Sequence, residues 1–81
     1  MRLIRRSGSR RARERRYFLS LREIEVLEWV GRGKPAREIG EILGITKRTI
    51  DAHVVSAVRK IGAVNRTNAV AIAVRDRIIN V

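Results

Sequence analysis

The chain has 81 residues, room for one small domain whose core is marginal unless packing is efficient or a partner contributes. Nineteen Lys and Arg against eight Asp and Glu give a formal net charge of +11, which favours association with polyanions and says nothing about the fold. Cysteine is absent, which excludes a disulfide framework and a thiolate metal site; there is no apolar run approaching about 18 residues and no signal-peptide stretch after Met1, so a soluble cytoplasmic protein is expected.

The first sixteen residues hold eight of the Arg and one Glu. The stretch RRSGSRRARERR has almost no apolar periodicity, so a basic, flexible, disordered arm over 1–16 is expected ahead of an ordered domain over 17–81. The next stretch, Leu19-Ser20-Leu21-Arg22-Glu23-Ile24, carries a full helix start. Ser20 can cap the amide of Glu23, Glu23 can reach back to Ser20, and Leu19 can staple onto Ile24. The helix should run through EIEVLEWV, burying Ile24, Leu27 and Val30, until Gly31 and Gly33 permit a left-handed turn.

Pro35 opens a second helix, about Pro35 to Leu43, with Ala36, Ile39, Gly40 and Leu43 on one side. Gly40 costs roughly 1 kcal/mol against Ala within a helix, so a close approach of neighbouring backbone is its local reason. Gly44, Ile45 and Thr46 read as a tight turn: Gly44 takes positive φ, Ile45 points into the core and Thr46 caps the next helix. On that third helix Ile50, Val54, Ala57, Val58 and Ile61 fall within about a third of the circumference, and Arg48, Asp51, Ala52, Val55, Ser56 and Arg59 remain on the free side. A fourth helix, capped by Asn65, is expected from about Arg66 to Arg77. It has Val70, Ala73, Val74 and Ile78 on one face and Ala69, Ile72 and Ile79 on another, so one apolar face is left needing a partner.

The ordered set REIEVL, a Gly turn, EIG..LGI, T.RTIDAHV and KIGAVNRT.AVA resembles the C-terminal helix-turn-helix domain of LuxR-type (GerE-type) bacterial transcription regulators. The match spans about Leu19 to Ile79. It implies an all-α, compact four-helix domain that binds specific double-stranded DNA as a dimer, with the third helix, about Lys47 to Ile61, as the recognition helix in the major groove. By the resemblance the fourth helix supports it and forms the dimer contact, which assigns Ala69, Ile72 and Ile79 to the seam. RNA polymerase is the further partner implied, at the nucleoid. An alternative is a small interaction module that captures a full-length relative into inactive heterodimers. Sixteen residues are too few for an effector-binding or receiver domain, so a free-standing regulator or the output fragment of a larger one is expected.

In that setting Arg48 is expected to reach phosphate or a guanine edge, and Arg59 a phosphate or flanking base. Ala52, Val55 and Ser56 are small enough for close groove approach, and Val55, standing where some relatives place a basic residue, can meet a thymine methyl. Asp51 either complements the helix dipole, accepts from cytosine N4, or orients Arg48 or Arg22. Thr46 caps, Thr49 touches phosphate, and Lys34, Arg37 and Lys47 flank helix amino ends that favour anions, positioning the domain without reading sequence. His53 is expected to make a structural hydrogen bond and Trp29 to edge the core. Acids scattered over helix faces, with a single His, form no catalytic constellation, so no enzyme activity, cofactor or metal is expected.

Overall fold

The structure, a computed structural model, describes residues 17–81; the expected arm over 1–16 lies outside the described residues. Four helices follow one another: α1 Leu21–Gly31, α2 Ala36–Leu43, α3 Lys47–Ile61 and α4 Arg66–Arg75. The described residues form no strand, and the domain is all-α as the periodicity indicated.

Local chemistry sets most of the boundaries. At the head of α1 the Glu23 amide donates to Ser20 Oγ at 3.0 Å and the Ser20 amide donates to Glu23 Oε1 at 2.9 Å, completing the capping box. Leu19 and Ile24 share one core cluster, as the staple requires. The two glycines after the apolar run divide their work differently from expectation. Gly33 alone of the pair takes positive φ, at 88°, whereas Gly31 is the last residue of the helix and leaves room for the C-terminus. A methyl on Gly31 would stand 2.8 Å from Val81 Cγ1 and 3.3 Å from Val70 Cγ1. Pro35 is the N-cap of α2 rather than its first helical residue, with φ −73° and ψ 158°.

The α2–α3 turn is held by one backbone contact. Gly44 adopts the left-handed conformation at φ 74° and ψ 29°, and the amides of Gly44 and Ile45 both donate to the Gly40 carbonyl. The returning chain therefore lies directly on Gly40, where a Cβ would come within 2.5 Å of the Ile45 carbonyl oxygen. Thr46 then caps α3, its Oγ1 accepting from the Thr49 amide at 3.1 Å.

Helix α3 packs against α1, α2 and α4. Its apolar series is shared between two clusters: Ile50 and Val54 pack with Val26, Ala36 and Ile39, while Ala57 and Ile61 pack with Ile24, Leu27, Ala69 and Ala73. Val58 lies against both. Because the helix is gripped along its whole length, its outer side is presented as a rigid surface.

Helix α4 departs from expectation. Asn65 caps it, accepting from the Asn68 amide at 2.8 Å, but the helix stops at Arg75, and Arg77 at φ 60° turns the chain back. The amides of Ile78 and Ile79 then donate to the Ala73 carbonyl at 2.8 and 3.3 Å, and both side chains enter the core. Ala69 is fully enclosed and Ile79 is 4% exposed, so neither is on the surface where a dimer seam was expected; Ile72 is half-buried against the same cluster. Conversely Val74, expected inside, is 42% exposed. The inward face of α4 is set by Ala69 and Ala73, one turn apart against Ile24, Leu27, Ala57 and Ile61, which leaves Val74 outside; beyond the helix the reversal at Arg77 brings Ile78 and Ile79 back to close the same cluster.

Gly40→Ala tests the close approach at the turn. The helix-propensity gain is small, and forcing the turn off α2 should lower stability by about 1–3 kcal/mol net. A fall in the urea midpoint with unchanged slope is the expected readout, and a variant as stable as the wild type would show that the turn does not need this approach.

Candidate nucleic-acid interface

On the side of α3 away from both clusters, Arg48, Ala52, Val55 and Arg59 are exposed. Their spacing of i, i+4, i+7 and i+11 places all four within about 60° of one another around the helix. They form one stripe, with a cation at each end and two apolar side chains between. Val55 is 66% exposed. Arg48 and Arg59 make no ion pair with any described residue, and neither does Arg37, exposed on α2.

The remaining residues expected to face DNA are in more committed positions. Asp51 accepts from Lys47 Nζ at 2.7 Å, one helical turn back, so it serves neither Arg48 nor Arg22; Arg22 pairs with Glu25 at 3.2 Å. Thr46 and Thr49 are exposed with hydroxyls 2.9 Å apart at the amino end of α3, and Lys34 stands 3.8 Å from Glu38 at the amino end of α2. Ser56 is a correction. It is half-buried and its hydroxyl donates to Glu23 Oε2 at 2.6 Å, because its angle on α3 points toward the start of α1 rather than along the outer stripe.

That bond belongs to a cluster that the capping pattern did not reveal. Glu23 is 5% exposed, yet its carboxylate is fully partnered: Oε1 accepts from the Ser20 amide and from Lys60 Nζ, each at 2.9 Å, and Oε2 accepts from Ser56. Lys60 Nζ also donates to the Phe18 carbonyl at 3.1 Å. Burial pushes the Glu23 carboxyl up, but the hydrogen bonds from Ser56, Ser20 and Lys60, with the Lys60 charge, outweigh it and hold the group below its ordinary value of 4.5. The only sequence signal was Glu23 itself, already accounted for by the cap; partners 33 and 37 residues away are not legible in spacing. His53 is half-buried and makes no hydrogen bond with the described residues, against expectation, while Trp29 edges the second cluster as expected, with the Arg32 guanidinium 5.1 Å from its ring centre.

The sequence matches the family model described as "Bacterial regulatory proteins, luxR family" over residues 18–73, which spans α1, the turn, α3 and most of α4. The chain belongs to the luxR family. It is 60% identical over 62 residues to the transcriptional activator protein BjaR1 of Bradyrhizobium diazoefficiens, covering 76% of this chain and 26% of that protein. It is 53% identical over 57 residues to the HTH-type quorum sensing-dependent transcriptional regulator RpaR of Rhodopseudomonas palustris, covering 70% of this chain and 24% of that protein. The transcriptional activator protein SolR of Ralstonia solanacearum shares 46% over 61 residues, covering 75% of this chain and 26% of that protein. The chain therefore spans about a quarter of the length of these relatives. The luxR-family match includes both α2 and α3 with their three-residue connection, Gly44 to Thr46, which makes the helix-turn-helix the shared unit. None of the helices among the described residues is long and apolar enough to cross a membrane.

The Glu23 cluster yields a pH dependence whose direction is fixed. Its folded carboxyl is depressed, so the stabilisation is complete above the unfolded value near 4.5 and is lost as pH falls through the lower folded value. Melting temperature should drop on acidification below about pH 4.5, and Glu23→Gln should be less stable at neutral pH and show a flatter acid limb. Glu23→Ala, which strips the cap and both tertiary bonds, should cost about 2–3 kcal/mol. An acid limb unchanged in Glu23→Gln would assign the pH dependence elsewhere.

Proposed function

We propose that this luxR-family chain is the DNA-binding part of a bacterial transcription regulator and that α3 lies in the major groove, with the Arg48–Ala52–Val55–Arg59 stripe against the base edges. The observation that carries this is the stripe itself: two guanidiniums without ion pairs among the described residues, flanking small apolar side chains on a helix gripped from behind, directly after a tight turn. Arg48 and Arg59 are about 16 Å apart along the axis, a span of about five base pairs at 3.4 Å each, so both can reach one groove. Lys34, Arg37, Thr46, Lys47 and Thr49 then lie toward the phosphates, aided by the free amides at the helix starts. Eight Arg in residues 1–16 add counterion release without sequence readout. The names of the relatives, transcriptional activators and a quorum sensing-dependent regulator, support a role in transcription; in this reading the chain works at the cytoplasmic nucleoid and contacts RNA polymerase.

The domain dimerises on DNA through α4. With Ala69 and Ile79 inside the core, the seam falls on the exposed Ala71 and Val74, with Val70 half-buried beside them. This is a small contact, well under the roughly 1,200 Å² of a stable interface, so the free protein is monomeric and pairing occurs across two half-sites of an imperfect palindrome.

Arg48→Ala and Arg59→Ala should each weaken binding to a duplex selected from a random pool by about 1–3 kcal/mol if the contact is to a base edge, with little change in melting. Wild-type affinity in both variants, read by fluorescence anisotropy, would refute the stripe. Val74→Glu should leave helicity and single half-site binding intact and abolish cooperative filling of two half-sites. Removing residues 1–16 should flatten the slope of log K against log salt by about 0.9 for each phosphate that the arm neutralises. A full slope in the shortened chain would show that the arm does not touch the duplex.

A further inference from the structure

We infer that Ala52 and Val55 form a reader for the C5-methyl group of a pyrimidine, so that the centre of the α3 stripe selects thymine at one position of the bound duplex. This rests on α3 facing the groove and goes further, to which base chemistry its centre accepts. Between Arg48 and Arg59 the stripe offers no free hydrogen-bonding group. Ser56, beside it, is turned inward onto Glu23 at 2.6 Å, and Asp51 lies at the stripe's edge, paired with Lys47 on the surface, so the stripe's own centre consists of the methyl of Ala52 and the two methyls of Val55. In the major groove guanine, adenine and cytosine present mainly polar groups, while thymine adds a methyl. An apolar pair pressed on a guanine or adenine edge would strip water from acceptors and donors and return no partner, a penalty that falls on the wrong base rather than the right one.

The geometry favours a fixed contact. Val55 is β-branched and helical, so its χ1 is already restricted and little rotamer freedom is lost when it meets a base. The backbone beneath it is held as well, by Val54 in one cluster, Ala57 in the other and Val58 in both. At 66% exposure Val55 is also the most exposed large apolar side chain on α3, a surface that covering by a methyl would desolvate favourably.

The test uses the full chain and a duplex selected from a random pool. Each thymine is replaced singly by deoxyuridine, which removes the methyl and keeps the Watson–Crick pairing and O4. One thymine per half-site should show a loss of about fourfold, the worth of one buried methyl, and the other thymines little. At that position cytosine should bind worse than 5-methylcytosine, which separates the methyl from the rest of thymine. In Val55→Ala the thymine-to-deoxyuridine ratio at that position should fall toward one, with helicity unchanged by circular dichroism because Val55 is on the surface. Deoxyuridine duplexes that all bind like the parent, or a ratio that survives in Val55→Ala, would overturn the methyl reader while leaving α3 in the groove. A chain that selects no sequence from the pool would overturn the groove reading itself.

Discussion

Glu23 sits where three parts of the chain meet, and its carboxylate satisfies all of them at once. It closes the amino end of α1 through Ser20, fixes α3 through Ser56 and Lys60, and through Lys60 holds the Phe18 carbonyl where the chain enters the domain. A buried carboxylate without partners would be strongly unfavourable; accepting from Ser20, Ser56 and Lys60 together, it becomes a directional joint that an apolar side chain could not make. It ties α3 to α1 alongside the apolar packing of Ile24 and Leu27 on Ala57 and Ile61.

The second constraint is steric. Gly40 lets the α2–α3 turn lie on the helix that precedes it, with the Gly44 and Ile45 amides bonded to the Gly40 carbonyl. The two devices act on opposite ends of α3: the turn positions its amino end, where Thr46, Lys47 and Arg48 stand, and the Glu23 joint positions its carboxyl half, where Ser56 and Lys60 stand. The two apolar clusters fill the space between. A helix located at both ends and packed behind can hold a small apolar centre against a partner with little further loss of conformational freedom on binding.

The luxR-family frame makes the distribution of charge intelligible. The cations with no ion pair among the described residues include Arg37, Arg48 and Arg59, whereas Lys60, on the same helix as the last two, is drawn inward. Charge on α3 is thus sorted by angle: an Arg stripe outward, Lys60 into the joint, and Lys47 paired with Asp51 on the surface between. Position along the sequence alone would have grouped Arg59 with Lys60.

Much of this is legible in the order of the residues. Caps at Ser20, Thr46 and Asn65, the left-handed Gly44, the close approach at Gly40 and the split of α3 into a core series and a free side are local matters, decided by the hydrogen-bonding capacity, side-chain polarity or missing Cβ of residues a few positions apart. The family is recognisable from the same ordered motifs. Long-range packing settled the rest: Ser56 is half-buried and bonded to Glu23 rather than free, Gly31 makes room for Val81, and Ala69 and Ile79 are enclosed while Val74 is not. The physical reason is common to all three. Each depends on what a distant segment brings: Glu23 to Ser56, Val81 to Gly31, and α1 and α3 to the Ala69 face of α4; helical periodicity carries information about the phase of a side chain on its own helix but none about what another part of the chain brings to that phase.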